Sequence, residues 1–143
     1  MRKSRIFTAV FIALLALPVL LAAGKTGYAG KATCESCHTE VAASCAKTPH
    51  AKALDTLKAA GSDTNPECLS CHVTGLEGDE YVDGAVSCEA CHGPGAAHVA
   101  ADASAKEGTL TKPTEDTCKK CHTPDWSPDW DYAKYAKTGI HAG

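Results

Sequence analysis

The stretch Cys88-Glu89-Ala90-Cys91-His92 decides the architecture of this 143-residue chain, because its spacing occurs three more times. In each copy, two cysteines stand three positions apart and a histidine follows the second cysteine at once. We number the copies in chain order as the first to fourth motif: Cys34-Cys37-His38, Cys68-Cys71-His72, Cys88-Cys91-His92 and Cys118-Cys121-His122. Eight of the nine cysteines and four of the seven histidines therefore follow one pattern.

Cys-x-x-Cys-His is the signature of c-type haem attachment. Two thiols at this spacing add to the two vinyl groups on one edge of a haem, and the next residue brings an imidazole nitrogen to the iron. Structural zinc sites also use Cys-x-x-Cys pairs, and secreted cysteine-rich chains use disulfides, but neither requires a histidine after every pair. The sequence therefore predicts four covalently bound c-type haems, with the eight motif cysteines as attachment points and the four motif histidines as iron ligands.

The first 24 residues are typical of a secretory signal peptide. Arg2, Lys3 and Arg5 precede an apolar run over residues 6–21, and small residues follow it. Cleavage near residue 24, or as late as residue 29, would release a domain of residues 25–143. The alternative is a retained membrane anchor, although the run is shorter than the roughly 20 residues of a full span. We expect a periplasmic or extracellular protein, since c-type haem is attached outside the cytoplasm.

Residues 25–143 leave about 30 residues for each haem. A chain this short builds a marginal core, and aromatic residues make up 6% of the sequence. The haems must therefore replace much of the missing side-chain core. We expect a mainly α fold with much irregular structure, a compact multihaem cytochrome c domain built around four packed haems.

The charge balance limits the choice of partners. Without Arg2, Lys3 and Arg5, the chain keeps 11 lysines against 17 acidic residues, a formal charge near −6, and has no arginine. This balance excludes nucleic-acid binding. It favours a redox-partner protein with a cationic docking patch. Contact with a membrane is expected through an uncleaved signal segment alone.

The count of possible second axial ligands is the most informative feature of the sequence. Met1 is the single methionine and belongs to the expected signal peptide, so histidine–methionine ligation is excluded. Bis-histidine ligation, with low reduction potentials, remains. Three histidines lie outside the motifs, and we call them the spare histidines: His50, His98 and His141. Three irons can thus be bis-histidine, and one keeps an open sixth position.

Local sequence around the spare histidines favours ordered positions. Thr48-Pro49 predicts a helix start before His50, and the helix should run to about residue 60, where Gly61 ends it. His98 follows a Gly-Pro-Gly turn in an alanine-rich segment. His141 follows an expected tail helix that begins at Ser127-Pro128 and closes at Gly139.

Two further features give weaker expectations. Asp83-Gly84, between short β-prone runs, predicts a hairpin turn. The tail carries aromatic residues that we expect to pack over the fourth haem rather than to relay electrons: Trp126, Trp130, Tyr132 and Tyr135.

Cys45 is the odd cysteine. Its spacing from Val41 favours a small buried apolar residue on a short helix. An intermolecular disulfide is the second interpretation, and ligation of a haem is the third.

Three longer stretches resemble the tetrahaem cytochrome c554 family, of which one type accepts electrons from hydroxylamine oxidoreductase. They are residues 48–54 (TPHAKAL), 68–75 (CLSCHVTG) and 86–95 (VSCEACHGPG). The resemblance covers about residues 28–122 and, more loosely, the tail. The chain departs from the family in its shorter tail and in Cys45, where the family usually has tryptophan.

The resemblance implies how motif and spare histidines pair. His98 would share an iron with His38, His50 with His92, and His141 with His122. The haem on His72 would be five-coordinate, in agreement with the histidine count.

We expect an electron carrier rather than an enzyme. The alternatives are an enzyme acting on a small ligand such as nitric oxide at the open haem, and a protomer of an extracellular cytochrome filament. Anion reduction is disfavoured because the domain has no arginine to bind the anion.

Overall fold

The computed structural model describes residues 27–136 and residue 141, so the expected signal peptide and Gly139 lie outside the described residues. The described part contains short helices joined by irregular segments, and no strand within it is longer than an isolated bridge. The predicted mainly α fold is confirmed. The α-helices are α1 (Lys31–Cys37), α2 (Thr39–Cys45), α3 (Ala53–Ala59), α4 (Pro66–His72), α5 (Cys88–His92), α6 (Ala96–Ala100), α7 (Glu115–Lys119) and α8 (Tyr132–Tyr135). Single 3₁₀ turns cover Pro49–Lys52 and Ala103–Ala105.

A small apolar core joins α3 to α4. Leu54, Leu57, Leu69 and Val73 are buried against one another. Each such side chain stabilises the fold by about 1.5–3 kcal/mol when fully buried. Because α4 carries the second motif, this core fixes that motif against the helix that follows His50.

The helix expected after Thr48-Pro49 is present but divided. A 3₁₀ turn holds His50, and α3 continues to residue 59. Thr48 does not cap the helix with its side chain; its hydroxyl donates to the carbonyl of Cys45 at 2.7 Å. Gly61 has φ +65° and lies two residues beyond the end of α3, so the predicted glycine stop is confirmed.

The predicted hairpin at Asp83-Gly84 is wrong. Isolated antiparallel bridges join Thr74 to Asp83 and Glu77 to Glu80, so the chain reverses between residues 77 and 80. The Asp83 carboxylate is used elsewhere: both of its oxygens accept from the backbone N–H of Lys31, at 3.1 and 3.2 Å. This side chain anchors the start of α1 and cannot serve as a turn residue.

A buried carboxylate joins the first motif to the third. Glu89 is 3% exposed. It accepts from the backbone N–H groups of Ala29 at 2.7 Å, Gly30 at 2.9 Å and Gly95 at 2.6 Å. The segment before α1 and the turn after α5 are therefore held on one side chain, and α1 packs against α5.

The described tail is less helical than expected. Its helix, α8, starts at Asp131, whose side chain accepts from the N–H of Lys134 at 2.7 Å. The expected start at Ser127-Pro128 is wrong, because Ser127 is engaged at the fourth motif. None of the described helices has the length and apolar character needed to cross a membrane.

Candidate haem sites

Each motif coincides with a short helix. The cysteines of the first, second and third motifs lie within α1, α4 and α5, and the fourth motif begins in α7 and continues past its end. Residues three apart lie on one helical face. The two thiols of a motif thus face the same side, as bonding to one edge of a haem requires.

Contacts between neighbouring segments set the spatial order of the motifs. Helix α1 packs against α5, which places the first motif beside the third. The Cys71 thiol lies 3.9 Å from the carbonyl oxygen of Lys120, which joins the second motif to the fourth. The backbone N–H of Thr111, seven residues before Cys118, donates to the His92 carbonyl at 2.9 Å, so the third motif lies beside the segment that leads into the fourth. The order through the molecule is therefore first, third, fourth, second.

The structure brings each spare histidine to one motif histidine. The ring centres of His38 and His98 are 6.3 Å apart, with planes inclined by 30°. His92 and His141 are 6.1 Å apart at 30°. His50 and His122 are 5.9 Å apart at 79°.

These separations fit two imidazoles on opposite sides of one iron. A histidine nitrogen binds a metal ion at about 2.0 Å, and the ring centre lies roughly 1.1 Å behind it, so two axial ligands have centres about 6 Å apart. All three ring pairs lie within a few tenths of an ångström of this distance. The donors present in the chain thus match the bis-histidine ligation of a c-type haem.

Two of the three pairs differ from those implied by the resemblance. His38 faces His98 as implied, but His141 faces His92 and His50 faces His122. The position of His50 explains the exchange. Its carbonyl accepts from Val86 N at 3.1 Å, which places its turn beside the third motif, while its ring reaches the fourth. The tail then brings His141 to the side of His92.

A cleft open to solvent lies at the third motif. His50, Cys88, Cys91, His92 and His141 are among the residues that line it. Both thiols and both members of one histidine pair thus face a common space. The Nδ1 atom of His141 is buried and has no hydrogen-bond partner among the described residues. An unpartnered buried nitrogen is costly, and the arrangement is consistent with a ring held for a ligand in this cleft.

Hydrogen bonds orient several of the rings through Nδ1. The partners are the Ala53 carbonyl for His72 at 2.7 Å, the Thr111 carbonyl for His92 at 3.1 Å, the Thr109 hydroxyl for His98 at 2.9 Å and the Ser127 hydroxyl for His122 at 3.2 Å. A partner at Nδ1 fixes the ring and leaves Nε2 for a metal ion.

His72 differs from the other motif histidines. No ring contact in the described part of the chain pairs it with another histidine. Its Nδ1 is nevertheless held by Ala53, so the ring is oriented like a proximal ligand.

Burial favours the neutral form of two of the imidazoles and two of the thiols. It lowers the pKa of His50, with a further contribution from His122, and also lowers the pKa of His122. Burial raises the pKa of Cys34 to about 11, with Cys88 and Glu89 adding to the effect. The Cys121 thiol, buried beside Cys71, has a pKa raised to about 12. At neutral pH these imidazoles and thiols are therefore uncharged.

Cys45 is a half-buried free thiol that lines the cleft of the third motif. Burial raises its pKa, and the neighbouring Cys88 raises it further. The thiol forms no disulfide with another cysteine of the chain. An intermolecular disulfide stays a prediction.

Sequence patterns did not reveal the residues that support the rings. Thr109, Thr111 and Ser127 lie in irregular segments, and their roles depend on contacts with His98, His92 and His122. Glu89 lies between two motif cysteines, where exposed residues are common. A sequence signal for Ser127 does exist, since it stands five positions after His122 in the same loop.

Comparisons with known proteins agree with the predicted resemblance. The family model described as cytochrome c554 and c-prime matches residues 33–93. Cytochrome c-554 of Nitrosomonas europaea is 32% identical over 91 residues, which cover 48% of this chain and 39% of that protein. The chain thus spans about two fifths of the length of this relative. No solved structure matches.

Proposed function

Because the family model described as cytochrome c554 and c-prime matches residues 33–93, we propose that the chain is an exported, periplasmic tetrahaem electron carrier. Each of the four motifs holds one c-type haem through its two cysteines. Three irons are bis-histidine, and the iron on His72 has an open sixth position. The protein passes electrons between redox partners at low potential.

The pairing of the histidines is the observation that carries this proposal. Each ring pair combines one motif histidine with one spare histidine, although the partners are 49 to 72 residues apart in sequence. Core packing does not require this arrangement, because imidazoles are mostly found in polar or partly exposed surroundings. If each pair supplies the two axial ligands of one haem iron, all three pairs have the same explanation.

Close contact between the motifs supports electron transfer through the molecule. A c-type haem supplies a one-electron ferric–ferrous couple when it is bound. Helix packing and hydrogen bonds join neighbouring motifs along the order first, third, fourth, second. Haems attached to neighbouring motifs would therefore lie close to one another.

The charge of the domain supports a cationic partner. Residues 25–143 carry a formal charge near −6, and haem propionates make the surface more acidic. Opposite charges speed the encounter of redox proteins and leave the contact short-lived.

The surroundings of His72 favour one second function. Its ring is oriented through Ala53 but faces no histidine within the described residues. An enzyme that acts on a small neutral ligand such as nitric oxide at an open iron there is the second candidate. This second function is distinguished from electron transfer by steady-state consumption of the gas.

The number of haems tests the proposal. The protein is matured in a host that attaches c-type haem, and its intact mass is measured together with the pyridine haemochrome absorbance. We expect four haems per chain. Three or fewer haems in fully matured protein would contradict the proposal.

A further inference from the structure

The fourth motif histidine is held from two sides by the tail. The rings of Trp130 and His122 are stacked, with centres 4.8 Å apart and planes inclined by 13°. The Nδ1 atom, on the edge of the His122 ring, lies 3.2 Å from the Ser127 hydroxyl oxygen. Tyr132 in turn packs against Trp130, with ring centres 6.2 Å apart. One face and one edge of this imidazole are therefore fixed.

This support coincides with an unusual crossing of rings. The planes of His122 and His50 meet at 79°, whereas the other two histidine pairs meet at 30°. None of the aromatic contacts found in residues 27–136 places a tryptophan on the other motif histidines. The tryptophan stack and the steep crossing thus occur at the same pair.

We infer that Trp130 is a positioning residue, which sets the His122 imidazole nearly perpendicular to that of His50 and so gives the fourth haem an electronic character of its own. The inference rests on the proposed function, since it concerns the axial ligands of one of the four haems. Because the Trp130 ring lies flat against the His122 ring, it opposes rotation of the imidazole out of their shared orientation. The Ser127 contact fixes the remaining rotation of the ring, as outer partners of metal-bound histidines do.

The angle between two axial imidazoles is visible in the ferric state. Nearly parallel planes split the iron d orbitals strongly and give a rhombic low-spin electron paramagnetic resonance spectrum. Nearly perpendicular planes leave two of these orbitals close in energy and give a highly anisotropic spectrum with a large maximal g value. We therefore expect one highly anisotropic signal for every two rhombic ones in the oxidised protein.

The experiment compares variants of the matured four-haem protein by electron paramagnetic resonance. Trp130→Ala should remove the anisotropic signal or shift it towards the rhombic type, and leave the other two low-spin signals unchanged. Trp130→Phe keeps a stacking ring and should retain the signal. Trp126→Ala is the matched control, because Trp126 lies on the same segment but is 83% exposed.

Two results would overturn the inference while leaving the proposed function intact: an anisotropic signal that is unchanged in Trp130→Ala, or three rhombic signals in the wild type. A wild-type protein without haem at the fourth motif, identified by peptide mass, would contradict both. If Trp130→Ala does not mature, Ser127→Ala tests the other contact of the same ring. That variant should shift the anisotropic signal alone, and an unchanged signal would count against the inference.

Discussion

Replacement of Glu89 by glutamine tests how the first and third motifs are held together. The carboxylate accepts three backbone N–H groups: one oxygen serves Ala29 and Gly95, and the other serves Gly30. A glutamine oxygen can keep the first two bonds, but its NH₂ group then faces the N–H of Gly30. The variant loses the negative charge that strengthens the two retained hydrogen bonds, and it leaves the buried N–H of Gly30 without an acceptor. We expect a loss of about 2–4 kcal/mol in the free energy of unfolding.

Glu35→Gln provides a closely matched control. Glu35 occupies the same place in the first motif as Glu89 in the third, directly after the first cysteine, and the change in net charge is the same. Its side chain is 35% exposed, against 3% for residue Glu89, and its carboxylate pairs with Lys31 at 2.8 Å. A surface pair of this kind contributes less than about 0.5 kcal/mol.

Urea unfolding followed by far-ultraviolet circular dichroism gives both free energies. The haem content of each variant is first checked by mass, so that stability is compared between equally matured proteins. If the two variants lose equal stability, or if Glu89→Gln stays within about 0.5 kcal/mol of the wild type, the argument from the three backbone donors is refuted.

Three other predictions concern the ligands and the surface. His50→Ala, His98→Ala and His141→Ala should each convert one low-spin ferric haem to high spin, measured by electron paramagnetic resonance. If the ratio of high-spin to low-spin signals does not change in a variant, the replaced histidine is not an iron ligand. Cys45→Ala should leave the pyridine haemochrome spectrum unchanged. In Cys91→Ala, the absorbance band of one haem should move to the wavelength of a haem bound through a single thioether. A band shift in Cys45→Ala would mean that this thiol is bonded to a haem. Electron transfer to a cationic redox protein, followed by stopped flow, should slow as salt is added, because screening weakens the attraction; a rate that rises with salt would rule out a cationic partner patch.

The attachment sites could be predicted from sequence because their chemistry is local. Two cysteines and a histidine at fixed spacing on one helix need no tertiary information, and the histidine count follows from composition. The helix after His50 was likewise predictable, since Pro49 and Gly61 act on their own backbone.

The pairing of histidines and the anchoring contacts could not be predicted in the same way. Whether His50 faces His92 or His122 depends on where the third and fourth motifs lie after folding, and sequence spacing carries no such information. Glu89 has the sequence context of an exposed residue, and its burial results from contact with Ala29 and Gly30, about 60 residues earlier. The turn predicted at Asp83 is wrong for the same reason, because its carboxylate accepts from the distant Lys31 N–H.

Carbon monoxide titration of the reduced four-haem protein tests the central claim most directly. The proposed function assigns seven histidines to four irons as three pairs and one single ligand, and that single ligand is His72. Bis-histidine iron does not bind carbon monoxide readily, while an open ferrous haem does. We predict that the Soret band changes to saturation with one carbon monoxide bound per chain. No binding would mean that another group fills the position at His72, and binding of two or more would mean that at least one of the three histidine pairs does not hold an iron.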